Sequence, residues 1–509
     1  MTTNGPTVEV LEIDGESLDL EDVEAAAQRR IRRFTLASGA RQAMEAGRRR
    51  VEEVIESGAT VYGVNTGFGH FARVRIRPDR LRQLQLNLVR SHAVGLGEPL
   101  PCRVVRGLML LRANVLARGR SGARPLIVER LLQMLEHDIC PFVPRQGSVG
   151  ASGDLAPLAH VALVLIGEGE AWIDGERVDG GAALRACGLQ PVELEAKEGL
   201  ALLNGTQLMA SLGALACREL EDLCRIADVS GALTVEALGA RVDAFDPGLA
   251  ALRPHPGQVA VAAHLVGLLA GSELADRRGA EQVQDGYSLR CMPQVHGAAR
   301  DVCEAARRII AIELNSVTDN PLLLDDGRIV SGGNFHGQPV AYALDMLAMA
   351  ATDLASISER RINRLLNASL SGLPAFLVRD GGLRSGLLIT QTVAAALVSE
   401  SRSLSMPAST DSIPTSADQE DHVSMGAWGG WKALQVVTNC RRVLAIELLC
   451  ACEAMELHAP SVPAAKLRPA YDWLRRLVAP LDEDRSLAPD IVRLEDSLAA
   501  GELLREMRR

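Results

Sequence analysis

The chain reads as a mainly α protein: a long-helix bundle joined to a smaller N-terminal region containing short strands. Three observations predict this. Aromatic residues make up only 3% of the 509 residues, while alanine and leucine abound, a balance that favours helix over sheet. Apolar residues recur at three- and four-residue steps over long stretches, the signature of helices with one buried face. Strand-like patterning is confined to short segments beside Asp-Gly pairs.

In chain order, VEVLEIDGESL (8–18) reads as a short strand running into an Asp-Gly turn, and EAWIDGERVDG (170–180) as a hairpin. A long helix is predicted over 201–240, starting after Asn204-Gly205-Thr206. Further helices are predicted over Gly297–Asn315, Gln338–Asn367, Leu387–Ser403 and Ala433–Met455. The Gln338–Asn367 pattern persists for about eight turns. Long helices in succession argue for a bundle, so the chain is divided into an N-terminal region (1–200) and a helical remainder (201–509). There is no internal repeat and no low-complexity tract. The Gly/Pro-dense stretches 62–69, 147–157 and 331–339 read as site loops, not linkers.

Bulk properties narrow the function classes. Lys+Arg is 54 against 64 Asp+Glu, a net charge of −10, which argues against nucleic acid or an anionic membrane as the main partner. The acidic start MTTNGPTVEVLEIDGESLDLEDVEAA does not read as a signal peptide. No uninterrupted apolar run reaches the ~18 residues of a membrane span. The expected location is cytoplasmic. The ten cysteines form no CxxC and the ten histidines no HExxH, so the cysteines read as small buried hydrophobes and no metal is expected. Gly67-Phe68-Gly69 lacks the βαβ context of a dinucleotide site.

Chemistry concentrates in GSVGASGDLAPLAH (147–160). Its Ala151-Ser152-Gly153 can close on itself. Attack of the Gly153 nitrogen on the Ala151 carbonyl carbon expels water and forms a five-membered imidazolone. Loss of the Ser152 hydroxyl as a second water leaves an exocyclic methylidene. Gly153 lacks a Cβ, so its nitrogen reaches a carbonyl that an ordinary chain keeps distant, in a compressed geometry the fold must impose. On its own Ala-Ser-Gly is an ordinary loop tripeptide. Its frame is more specific, because YGVNTGFG (62–69), EGLALLNGTQ (198–207), YSLRCMPQVHGA (287–298), DNPL (319–322), SGGNFHGQP (331–339) and SADQEDHVSMG (416–426) accompany it. In content and order these blocks resemble the aromatic amino-acid ammonia-lyase family, over roughly residues 8–500.

The resemblance implies a mainly helical homotetramer whose active sites draw residues from three chains. It also implies a self-made electrophile, 4-methylidene-imidazol-5-one (MIO), from Ala151, Ser152 and Gly153, with no external cofactor. Elimination of ammonia from an α-amino acid must overcome a poor leaving group and a weakly acidic β-hydrogen. The electrophile addresses the first and a base the second. Tyr62 matches the family's catalytic tyrosine; an ordinary phenol titrates well above neutral pH, so it needs a nearby cation such as Arg290. Tyr287 and Arg290, three apart in YSLR, share a face. Arg290 suits bidentate binding of the substrate carboxylate, and Tyr287 is implied as a phenol assisting at the electrophile. Asn204 matches an amide near the electrophile and the substrate carboxylate, though Asn-Gly-Thr also reads as a helix N-cap. Phe335 matches an aromatic beside the electrophile and Gln284 a further polar contact.

Substrate choice rests on Ser91-His92 and Glu420. Both match the histidine-specific branch, where an imidazole N–H meets a carboxylate and a neutral histidine. A buried carboxylate penalises a bare phenyl ring. Met292, Asp418 and the Gly-Gln of NFHGQP depart from the branch pattern and bear on tuning more than on class. The expected reaction is L-histidine to trans-urocanate and ammonia. The alternatives are a tyrosine or phenylalanine lyase, a 2,3-aminomutase using the same electrophile, and a non-catalytic helical tetramer.

Overall fold

The computed structural model describes residues 7–277 and 283–508. Residues 1–6 of the acidic N-terminal stretch lie outside the described residues.

The predicted long helices form with shifted ends: Gln207–Leu238, Met292–Leu314, Gln338–Leu366, Leu388–Leu404 and Gly426–Glu456. The last starts earlier than its apolar repeat suggests, because Gly426 and its neighbours already pack tightly; a Cβ on Gly426 would stand 2.7 Å from Met209 Sδ. Gln338–Leu366 is the one described helix long and apolar enough to cross a membrane by length and composition, yet 67% of its most apolar window is buried inside the protein, as in the core helix of a bundle.

The chain divides into two compact units, each discontinuous in sequence: Met1–Leu215, Arg307–Asp345 and Pro407–Trp431 in the first, and Ala216–Ala306, Met346–Met406 and Lys432–Arg509 in the second. All described strands lie in the first unit. The 170–180 hairpin is antiparallel, and Asp174 and Gly175 both adopt positive φ, at 51° and 83°, as a two-residue turn with right-handed strand twist requires. The N-terminal segment behaves differently. Val8–Ile13 pairs in parallel with Ile31–Leu36, and helix Leu20–Ala27 supplies the crossover.

The core of the first unit is helix Cys102–Ala117, buried at every residue from Val104 to Ala117. Complete burial explains its weak amphipathic pattern. In the second unit, buried Glu447 and Asp228 are both paired, as low polarity demands. Arg361 and Glu447, both fully buried, meet through Nε–Oε1 at 2.5 Å, and Ser230, Thr234 and Ser358 donate to the same carboxylate. Asp228 accepts from His264 at 2.7 Å and His296 at 2.8 Å.

Candidate active site

The Ala151-Ser152-Gly153 turn sits between helix Leu155–Leu165 and the loop before the long helix Gln207–Leu238. Ser152 and Gly153 adopt φ of 51° and 77°, a left-handed pair that folds the tripeptide back on itself. Ser152 has no glycine freedom, so this geometry is strained. Its neighbours hold it. Gly153 bridges Gly205 in parallel, and the Asp154 N–H donates to the Gly205 carbonyl at 2.7 Å. A Cβ on Gly153 would stand 2.1 Å from Gly205 O, so only glycine fits. On the other side, Met425 N donates to Val149 O at 2.9 Å, and Ala151 packs with Ala408, Val423 and Met425.

Asp154 lies within the 147–160 motif, and its place in the sequence alone assigns it no role. Fully buried, it accepts from Leu208 N at 3.0 Å, Met209 N at 3.1 Å and Ser148 Oγ at 2.9 Å. It therefore caps the first turn of the long helix, where orphan N–H groups and the helix dipole favour a carboxylate. Burial nonetheless pushes its carboxyl up to about 6. The N-cap reading of Asn204 is corrected accordingly. Asn204 is the C-cap of helix Glu198–Leu203, and its buried side-chain Oδ1 has no protein partner.

Ser152 Oγ donates to Glu420 Oε1 at 2.8 Å. Thr415 Oγ1 donates to Glu420 Oε2 at 2.7 Å, and Thr415 and Glu420 are joined again through their backbones. Between them Ser416, Ala417 and Asp418 adopt φ of 56°, 53° and 60°, a left-handed run of non-glycine residues that turns Glu420 back toward Ser152. Ser416 Oγ lies 3.1 Å from the Cβ position of Gly69, and the Gly69 N–H donates to Tyr62 Oη at 3.4 Å. Tyr62 and Phe68 meet edge-on at 6.5 Å. The Tyr62 loop and the Glu420 loop are thus adjacent.

His92 ends helix Leu81–His92 half-buried, its Nδ1 bonded to the Leu88 carbonyl at 2.9 Å. That acceptor requires Nδ1 to carry the proton and leaves Nε2 as the acceptor. Burial lowers its pKa; the Leu88 bond and the charge of Glu420 oppose the shift. Phe335 is half-buried just ahead of Gly337, whose Cβ position stands 2.2 Å from Met209 Sδ.

The remaining predicted residues belong to the second unit. Tyr287–Arg290 is a single helical turn, the Arg290 guanidinium stacks on the Tyr287 ring at 4.6 Å, and Arg290 Nε donates to Asp285 O at 3.0 Å. With its amide oxygen oriented by these donors, Gln284 also faces Arg290. Tyr287 is 71% exposed. The structure therefore gathers Tyr62, His92, Ser152, Asn204 and Glu420 within one unit and Gln284, Tyr287 and Arg290 within the other. Away from these residues, one group of possible metal ligands occurs among the described residues: Cys217, Glu221 and Cys303, where the sulfurs are 3.7 Å apart and Arg218 pairs with Glu221.

The family model for aromatic amino acid lyases matches residues 18–476. The chain is 54% identical to the histidine ammonia-lyase of Anaeromyxobacter sp. (strain K) over 507 residues, 97% of this chain and 100% of that one. It is 52% identical to the histidine ammonia-lyase of Symbiobacterium thermophilum over 491 residues, 96% of this chain and 97% of that one. Among solved structures, histidine ammonia-lyase from Trypanosoma cruzi matches with a TM-score of 0.91 and 42% identity, covering 98% of this chain and 95% of that one. Tyrosine aminomutase from Streptomyces globisporus matches with a TM-score of 0.93 and 39% identity, covering 99% of each chain.

Proposed function

The chain belongs to the aromatic amino acid lyase family, and from that premise we propose that it is a histidine ammonia-lyase, eliminating ammonia from L-histidine to give trans-urocanate. It is a carbon–nitrogen lyase acting without an oxidant. The observation that carries the substrate is Glu420: a carboxylate held at Ser152 Oγ, with His92 in its electrostatic field. An imidazole N–H satisfies such a carboxylate, and a bare phenyl ring does not.

Ala151, Ser152 and Gly153 fit the family's MIO group. The tripeptide is already folded through left-handed φ at Ser152 and Gly153, and Gly205 fills the space a Cβ on Gly153 would need. When formed, the group supplies an electrophile that draws electron density from the substrate, and no external cofactor is needed.

This chain's own residues do the rest. Tyr62 removes the β-proton as general base. Glu420 accepts from the single N–H of the neutral imidazole ring, and neutral His92 lies beside the same carboxylate. Asn204 brings an amide oxygen that lacks a protein partner, which an N–H of the substrate amine can satisfy. Phe335 forms an aromatic wall. Arg290 binds the substrate carboxylate through its planar fork, Gln284 steadies Arg290, and Tyr287 assists as a second phenol. We assign these last three to the same site in a cytoplasmic homotetramer whose sites draw on more than one chain.

The test is the ultraviolet absorbance of the purified protein with L-histidine, L-tyrosine and L-phenylalanine in parallel. Each elimination product gains a conjugated double bond. A rise with histidine alone is the expected result. A rise with tyrosine but not histidine overturns the assignment of Glu420 and His92. β-Amino acid product in place of an absorbance rise identifies an aminomutase.

A further inference from the structure

Arg112 is fully buried in the core helix Cys102–Ala117. Two of its nitrogens, Nε and Nη2, have no partner. The acidic group acting on it is Asp319, which is itself paired with buried Lys197 at 2.7 Å. Desolvation pulls the guanidinium down to about 10. A buried, incompletely bonded cation is costly, and such a group in a native structure needs a reason.

Its one bonded nitrogen supplies that reason. Arg112 Nη1 donates to the Asn204 carbonyl at 2.6 Å and to Gln207 Oε1 at 2.8 Å, and Gln207 Nε2 donates to Thr318 Oγ1 at 2.7 Å. The residue enclosed by these bonds is Gly205. Its Cβ position lies 2.4 Å from Gln207 Oε1 and 2.8 Å from Arg112 Nη1. The next carbonyl along the chain, Gly205 O, faces Gly153, whose Cβ position lies 2.1 Å from it. Arg112 and Gln207 thus crowd Gly205, which in turn bridges Gly153.

We propose that Arg112 is a positioning residue for ring closure: acting through Gln207, it holds the Gly205 peptide against Gly153 and so keeps the Gly153 nitrogen on the Ala151 carbonyl carbon. The inference rests on the proposed self-made electrophile. In that step the Gly153 nitrogen bonds to the Ala151 carbon and two waters leave, one carrying the Ala151 oxygen and one the Ser152 hydroxyl. Arg112 touches none of the reacting atoms. It removes the freedom of Gly205 to retreat. An ångström-scale misplacement of reacting atoms costs roughly a hundred-fold in rate.

The readout is the mass of the peptide spanning Ser152, followed with time after synthesis. Arg112→Met keeps the volume and removes the donors. The expected result is a folded protein, melting cooperatively, in which the two-water deficit appears about a hundred-fold more slowly than in the wild type, with Arg112→Lys restoring part of the rate. A folded Arg112→Met with a wild-type deficit overturns the proposal. Should Arg112→Met not fold, Gln207→Leu, which breaks the link at its outer end, is read in the same way. A wild-type chain without the deficit overturns the electrophile itself, so the two failures are distinguishable.

Discussion

Ser152 Oγ donates to Glu420 Oε1 at 2.8 Å across 268 residues of sequence. The bond has a consequence for the order of events. In the proposed ring closure the Ser152 hydroxyl is expelled, so forming the electrophile removes the donor from Glu420 Oε1. That oxygen then needs a new partner, and an imidazole N–H supplies one. The second oxygen stays on Thr415, so the carboxylate keeps its orientation. In the proposed function, maturation of the site and readiness for histidine are coupled through one carboxylate.

Ser152→Ala therefore eliminates the two-water deficit and lowers turnover by several orders of magnitude. It costs little stability, since a single partly exposed hydrogen bond contributes about 1 kcal/mol. Peptide mass and the absorbance assay check this together. Substantial turnover in the variant would remove the tripeptide from the mechanism.

Glu420→Ala lowers kcat/KM for histidine by roughly 10- to 100-fold, the worth of a hydrogen bond to a charged group at about 1.5–3 kcal/mol. The loss for phenylalanine is smaller, because that ring has no donor to lose. Equal losses for the two substrates would take Glu420 out of substrate selection.

Tyr62→Phe keeps the edge-on contact with Phe68 and loses only the hydroxyl that accepts from Gly69. The two-water deficit persists while elimination stops. The discriminating measurement is the pair of readouts on one preparation, and undiminished elimination would exclude Tyr62 as the base.

Asp154 carries a pH dependence. Burial pushes its carboxyl up to about 6 from 3.8, with bonds from Met209, Ser148 and Leu208 opposing. The folded state thus holds this proton more tightly than the unfolded state. The contribution stabilises as pH falls from about 6 toward 4 and is lost as pH rises through 6, by about 3 kcal/mol in all. Asp154→Asn keeps an acceptor for Leu208 and Met209 and removes the titration. Denaturant unfolding across this range shows a flatter curve for the variant; parallel curves would refute the assignment.

Much of this was legible in the residues. The helices over 338–366 and 207–238 announced themselves through repeated apolar spacing, and the Asp174-Gly175 turn through residues suited to left-handed backbone. Asp154 left a signal in its motif, but an acidic residue ahead of an apolar run reads as the cap of the next helix, Leu155–Leu165. That cap hydrogen bond is absent, and the carboxylate serves the helix beginning at Gln207 instead. Arg112 left no signal, because one arginine in an apolar helix says nothing of what it will meet.

By itself the sequence determined the helical class, the hairpin, the cyclisable tripeptide and the family of the chain. Each is written in neighbouring residues, as periodicity, as backbone preference, or as blocks of fixed spelling. Tertiary structure alone decided that Gly205 fills the place of a Gly153 Cβ, that Glu420 meets Ser152, and that buried Arg112 donates to the Asn204 carbonyl. Those relations, the last of them a hydrogen bond, are distances between segments remote in the chain, and no local preference encodes a distance until the core has closed around it.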